Sequence, residues 1–254
     1  MKLLSLKKAG IIAVASLLGL GGAGVMASAA NAATVATSAV SFDGYDLEFS
    51  ATSHDGSTIA YSSYEGDYVT LFDVASGTTQ VVADANSDFY EPGKPVFSPD
   101  DSTLFVANYD YSNIVVVDVA SASVVDILSS GDLSGPWTMA MSSDGNYLYI
   151  GDYSNDTFVT YNLTTDATHS VASLSYPYAL FVSTDGYTVY SLDYYGQIDV
   201  IDVSDPAAPV VSDSWTNLSG SFYGACVDSG VTTMYAPDND STALYAVSLT
   251  DGSI

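Results

Sequence analysis

The chain has 254 residues, with 30 acidic side chains against 4 basic ones, a single cysteine and two histidines. Lys2, Lys7 and Lys8 supply three of the basic groups, so the chain beyond residue 32 carries Lys94 alone against 30 carboxylates, a formal charge of 1 − 30 = −29. That balance excludes phosphate neutralisation, making nucleic acid and anionic lipid poor partners. The lone Cys226 excludes an internal disulfide, and His54 and His169 fall short of a zinc ligand set.

In chain order, the positive start is followed by an apolar run over residues 11–20 and a small-residue stretch ending in Ala30-Asn31-Ala32. This is the pattern of a secretory signal peptide. The predicted organisation is a signal peptide over 1–32 and a β-propeller domain over 33–254. The mature protein is expected to be secreted or held at the cell surface, with no stable membrane insertion after cleavage. Residues 34–38 read as an isolated strand, followed by a loop carrying Tyr45.

A unit of about 43 residues then recurs. An aspartate marks a turn in each copy, at Asp55, Asp100, Asp144, Asp185 and Asp228, with spacings of 45, 44, 41 and 43 residues. A second anchor moves in step: Phe72-Asp73-Val74, Val117-Asp118-Val119, Tyr161-Asn162-Leu163 and Ile201-Asp202-Val203, with a weaker Val247-Ser248-Leu249. Short β-branched and aromatic segments at this period predict an all-β fold: a β-propeller of four-stranded antiparallel blades, with five blade copies visible. The second copy sets the template, with strands over 95–98, 103–107, 114–119 and 123–128. Asp-Gly pairs at 55–56, 144–145 and 185–186 supply the positive φ of the first turn, and the aspartates are expected to accept backbone N–H groups there. Cys226 falls in a short apolar stretch, where it reads as a buried structural thiol. The fifth copy stops after three strands. Residues 34–38 would complete the last blade and close the ring, or else the chain is a truncated piece of a larger ring.

Leu104 to Asn108 with Tyr109, followed by Ser112-Asn113-Ile114-Val115-Val116-Val117-Asp118, resembles the repeat of the YVTN family of β-propellers. Leu148 to Tyr153 and Val189 to Tyr194 are looser copies. The resemblance implies a secreted or surface-exposed, surface-layer-like propeller, usually with about seven blades, and carries no catalytic group onto this chain. Related propellers include lactonase-like and lyase-like enzymes, but no catalytic histidine, glutamate or arginine here matches theirs.

Function is therefore sought in the loops. The loops leading into the first strands carry Tyr45, Tyr90, Trp137, Tyr178, Trp215 and Tyr223, and the loops between second and third strands carry Asp152, Asp193 and Asp238. Both sets belong to one end of a propeller, where aromatic platforms beside carboxylates suit a glycan, a basic peptide or other cationic ligand, or a surface protein. Weak divalent cation association through net charge is expected, with no dedicated metal site and no cofactor. No nucleophile elbow, metalloprotease motif or phosphate loop is present, so the chain reads as a non-catalytic module. A polysaccharide-acting or lactonase/lyase-like propeller enzyme using the same face is the alternative.

Overall fold

The middle strands of the repeat are near-continuous apolar runs because each is covered on both faces by a neighbouring blade. The computed structural model describes residues 49–83, 88–172, 174–216 and 218–254. It contains five antiparallel sheets strung along the chain. Blade 1 holds β1 (Phe49–Thr52), β2 (Thr58–Ser63), β3 (Tyr68–Asp73) and β4 (Thr78–Val81). Blade 2 holds β5 (Pro92–Phe97), β6 (Thr103–Asn108), β7 (Asn113–Asp118) and β8 (Ser123–Ser129). Blade 3 holds β9 (Pro136–Met141), β10 (Tyr147–Asp152), β11 (Thr157–Asn162) and β12 (Thr168–Ala172). Blade 4 holds β13 (Pro177–Val182), β14 (Thr188–Asp193), β15 (Gln197–Asp202) and β16 (Val210–Thr216). Blade 5 holds β17 (Cys226–Val227), β18 (Thr233–Pro237) and β19 (Leu244–Ser248). The protein is thus a five-bladed all-β propeller of mostly four-stranded blades, as the repeat predicts. The signal peptide over 1–32, the strand over 34–38 and Tyr45 lie outside the described residues, and with them the question of what completes blade 5.

Strand alternation assigns each side chain to one of two blade interfaces. On β6, Leu104 and Val106 face blade 1 with Val69 and Leu71, while Phe105 and Ala107 face blade 3 with Leu148 and Ile150. Blades 3 and 4 join through Tyr149, Phe158, Val189 and Ile201, and blades 4 and 5 through Leu192, Ile198, Met234 and Val247. Fully burying each such side chain stabilises the fold by roughly 1.5–3 kcal/mol. Cys226 is only partly buried on β17, and that burial raises its thiol pKa.

The first turn of each blade uses a pair of side chains, of which the aspartate is one. In blade 2, Ser98 Oγ donates to Asp100 Oδ1 (2.6 Å) and accepts from Thr103 N (3.0 Å), while Asp100 Oδ1 accepts from Ser102 N (3.1 Å). Ser53 with Asp55, Ser142 with Asp144 and Ser183 with Asp185 repeat the arrangement. Blade 5 departs from it. Asp228 N bonds Thr233 O just as Ser53 N bonds Thr58 O, so Asp228 stands in the serine position, two residues before the aspartate of the other copies. Its carboxylate does both jobs, accepting from Thr232 N (2.6 Å) and Thr233 N (3.1 Å). The left-handed residue is accordingly Val231 (φ 50°), not Gly230, a strained choice for a β-branched side chain. The third-strand aspartates are structural too: Asp73, Asp118 and Asp202 accept from Ser76 N, Ser121 N and Ser204 N.

Hydroxyl bonds from Ser98 and then Ser102 hold the Asp100 carboxyl at about 2. A depressed carboxylate stabilises above its unfolded pKa and loses that contribution as pH falls toward the folded value. Ser98→Ala removes the acceptor of Thr103 N and should cost about 1 kcal/mol, read as a lower urea midpoint with an unchanged slope.

Candidate functional site

The end of the propeller where first strands begin and second strands end is built from one recurring clamp. A polar residue at the end of the second strand, or just after it in blade 5, is buried beneath the loop leading into the same blade and grips that loop. Asn108 Oδ1 accepts from Tyr90 N (2.8 Å), and its amide donates to Asp88 O (2.8 Å). Asp152 Oδ2 accepts from Ser134 N (2.7 Å) and Gly135 N (3.0 Å), with Oδ1 taking Asn155 N (3.0 Å). Asp238 accepts from Ser221 N (3.2 Å), Asp240 N (3.0 Å) and the Ser241 hydroxyl. The next residue then returns a backbone bond to the loop: Tyr109 N to Glu91 O, Tyr153 N to Gly135 O, Tyr194 N to Tyr176 O and Asn239 N to Ser221 O. The clamp therefore fixes a tyrosine at the mouth of each of blades 2, 3 and 4, and Tyr64 holds the matching place after Ser63 in blade 1.

These tyrosines meet the rings of the first strands. Trp137, second in β9, is the hub, with ring centroids 5.0 Å from Phe49, 5.4 Å from Tyr64, 5.5 Å from Tyr109, 5.7 Å from Tyr153 and 5.7 Å from Tyr178. Gly93 holds the equivalent place in β5; a Cβ there would lie 2.6 Å from Trp137 O, so the two backbones can approach only because that side chain is missing. From the hub the rings continue through Tyr178 to Tyr194 (5.8 Å) and Tyr223 (5.5 Å), and through Tyr153 to Tyr176 (4.8 Å).

This cluster opens into a cleft of about 330 Å³ lined by Tyr153, Tyr176, Tyr178, Tyr194, Tyr195 and Tyr223. Tyr195 and Tyr223 are the most exposed, at 59% and 52%. Tyr176 holds its ring there at φ 47°, a left-handed conformation costly for an aromatic residue, pinned by Tyr176 N to Asp156 Oδ1 (3.1 Å). Burial first, then neighbouring phenols, pushes the Tyr178 hydroxyl well above the ordinary tyrosine range. For Tyr223 the hydrogen bond with Tyr194 has the largest effect in the same direction. The cleft thus presents phenol rings, each a π face with a hydroxyl at its edge.

The residues expected from the sequence divide accordingly. Trp137, Tyr178 and Tyr223 converge on the cluster. Tyr90 stacks on Tyr111 (5.4 Å) at the periphery. Trp215 is not on a leading loop: it lies in the outer strand β16, its indole N–H donating to Asp213 Oδ2 (2.9 Å) and its ring against Gly252 of blade 5. The connection from Asp202 to Val210 contains Pro206 and Pro209 and is longer than its counterparts, which moves the outer strand later in the chain. Asp152, Asp193 and Asp238 are only 0%, 3% and 8% exposed, so they underlie the face and do not project from it. Burial raises the Asp193 carboxyl to about 6, against the hydrogen bond from Gln197 N (2.7 Å). Asp199, raised in the same way, is linked to it through Gln197. Sequence reasoning passed over Tyr64, Tyr109, Tyr153 and Tyr194 as site residues. Their signal was present: one tyrosine after the second strand, at spacings of 45, 44 and 41 residues.

No group of three or more His, Cys, Asp or Glu is placed to hold a metal ion among the described residues, and none of their helices is long and apolar enough to cross a membrane. Many solved structures share the architecture. One is hydrazine synthase of Kuenenia stuttgartiensis, with a TM-score of 0.67, 18% identity and coverage of 85% of this chain. Another is a functionally unknown protein from Desulfotomaculum acetoxidans, with a TM-score of 0.66, 12% identity and coverage of 82% of this chain. The matches span 66% and 70% of those chains, so the first is covered over slightly less than two thirds of its length. At such identities the likeness is one of fold. No family model and no curated protein matches the chain.

Proposed function

We propose that this propeller is a non-catalytic binding module, exported to the medium or the cell surface, whose tyrosine cleft takes an organic cation: a methylated ammonium group or the basic side chain of a peptide or surface protein. The observation that carries the reading is the lining of the cleft, six tyrosines with no lysine or arginine among them. Cations over aromatic faces gain roughly 0.5–2 kcal/mol per site. The chain's formal charge beyond residue 32, 1 − 30 = −29, attracts cations to every approach, and the Asp156 carboxylate lies one hydrogen bond from the rim. Export is supported by the composition of residues 1–32, and a YVTN-like, surface-layer type of propeller fits the repeat. Weak divalent cation association fits the same charge. A glycan is the second reading, favoured by the phenolic hydroxyls beside each ring.

Titration with tetramethylammonium, an Nε-trimethyl-lysine peptide and a set of neutral oligosaccharides, followed by tyrosine fluorescence, tests both readings. Saturable quenching by the cations is expected, weakened about 10-fold by Tyr195→Ala and Tyr223→Ala in a folded protein. Saturation by an oligosaccharide and not by the cations would replace the first reading with the second. Turnover of any ligand would overturn the non-catalytic reading.

A further inference from the structure

The central channel below the aromatic cluster holds a group that the binding reading does not use. Its cavity of about 320 Å³ is walled by the innermost strands β1, β5, β9 and β13, and Lys94 of β5 enters it. The Lys94 Nζ lies 5.5 Å from the ring centroid of Phe181 on β13. Those strands belong to blades 2 and 4, which are separated by blade 3, so the side chain crosses the channel. A β-bulge between Pro92 and Pro95 sets this part of the strand. The lining around the amine includes Val96, Phe97, Met139, Leu180 and Phe181 beside Ser50 and Thr52; among the described residues it contains no carboxylate, and its other titratable group is His54. His54 is occupied by Asp101, its Nδ1 lying 2.7 Å from Asp101 Oδ1. Lys94 thus has no carboxylate partner among the described residues. Lys94 is half-buried as a residue, but its amine sits among these side chains with no carboxylate partner among the described residues, and both conditions favour the neutral amine.

We propose that the Lys94 amine is a nucleophile that captures small apolar aldehydes entering the channel. The nitrogen lone pair attacks the carbonyl carbon to give a carbinolamine. Loss of the carbonyl oxygen as water, with two hydrogens that come from the nitrogen, leaves a C=N Schiff base, and no oxidant or reductant is consumed. The apolar side chains of β5, β9 and β13 favour the alkyl chain, and the lack of a carboxylate partner among the described residues leaves the lone pair free.

Burial lowers the Lys94 amine to about 8. At pH 7.5 that leaves roughly a quarter of it neutral, against about 0.1% for an ordinary lysine. The full-length protein is incubated with hexanal and sodium cyanoborohydride, which traps the imine, and the adducts are located by peptide mass mapping. Lys94 is expected to react at least about 10-fold faster than Nα-acetyl-lysinamide at pH 7.5, allowing for the lower nucleophilicity of a less basic amine, with half-maximal rate near pH 8. Denaturation in urea should abolish the advantage, and Lys94→Met, checked for native circular dichroism, should lose the adduct. Hydrophilic glycolaldehyde should react more slowly than hexanal. A Lys94 rate equal to that of the free amide, or an advantage that persists in urea, would overturn the nucleophile; equal rates for the two aldehydes would overturn the apolar selectivity. Neither result bears on cation binding at the tyrosine cleft.

Discussion

Trp137→Ala is expected to lower the unfolding free energy by about 3 kcal/mol, the low end of the range for removing a large ring, since Trp137 is half-buried. Trp137 touches rings from blades 1, 2, 3 and 4, so its loss opens a void at a point where four blades meet. Aromatic pairs add about 0.5–1.5 kcal/mol each beyond area burial, and alanine forfeits several at once. The indole N–H is buried with no acceptor among the described residues. Trp137→Phe removes that orphan donor while keeping most of the ring, and should cost less than about 2 kcal/mol. Tyr195→Ala, at a ring 59% exposed, should change stability by no more than about 0.5–1 kcal/mol. Urea denaturation of the three variants checks the order. If Trp137→Ala unfolds at the same midpoint as Tyr195→Ala, the ring cluster is not a keystone, and Trp137 belongs with the ligand contacts.

Asp193→Asn should stabilise the protein near pH 7 by about 1–3 kcal/mol and do little at pH 4. Burial holds the folded carboxyl at about 6, above its ordinary 3.8, so between these values the native state keeps a proton that the unfolded chain has released. The unfolded state then binds fewer protons, and stability falls as pH rises through this window. Asparagine removes the charge while its Oδ1 still accepts from Gln197 N, and Asn108 fills the equivalent place in blade 2. Asp199 is raised by the same burial, and neutralising Asp193 also relieves it of a like charge. Asp152→Asn makes the contrast. All its described hydrogen bonds are accepted ones, from Ser134, Gly135 and Asn155 N–H groups, and an amide turns one acceptor into a donor facing donors. That variant should lose about 2–3 kcal/mol. Thermal melts at pH 4 and pH 7 separate the two carboxylates from the general relief of charge repulsion on acidification, which both variants share. Equal pH dependence in Asp193→Asn and the unsubstituted protein would show that Asp193 is not the group responsible.

The turns were legible in the sequence because a tight turn is a local problem. A residue at positive φ, a carboxylate two or four residues from the amides it accepts and a strand of β-branched residues recur wherever the backbone repeats. Even so, the copy at Asp228 misled. The period aligns Asp228 with the aspartates, whereas the hydrogen bonds of Asp228 N and Thr233 N place it among the serines Ser53, Ser98, Ser142 and Ser183. One side chain had taken over the work of two, a substitution visible only in the pairing.

The site divides along the same line. Blade count, strand order and the end of the propeller that bears aromatic and acidic loops follow from the period and from the alternation of strands, which relate residues a few positions apart. Whether a given ring or carboxylate reaches the mouth depends on contacts between residues from under twenty to nearly ninety positions apart. Trp137 meets Phe49, Asp152 turns inward to grip Gly135, Trp215 lies along an outer strand behind a long proline-containing connection, and Lys94 crosses an apolar channel to Phe181. Composition shows that the chain holds many tyrosines, many carboxylates and a single lysine after residue 32. Only the packing of blades around an axis decides that the tyrosines share one cleft, that three of the expected carboxylates are consumed beneath it by backbone N–H groups, and that the lysine has no counterion among the described residues. Burial and desolvation belong to the assembled fold, and no local stretch of sequence encodes them.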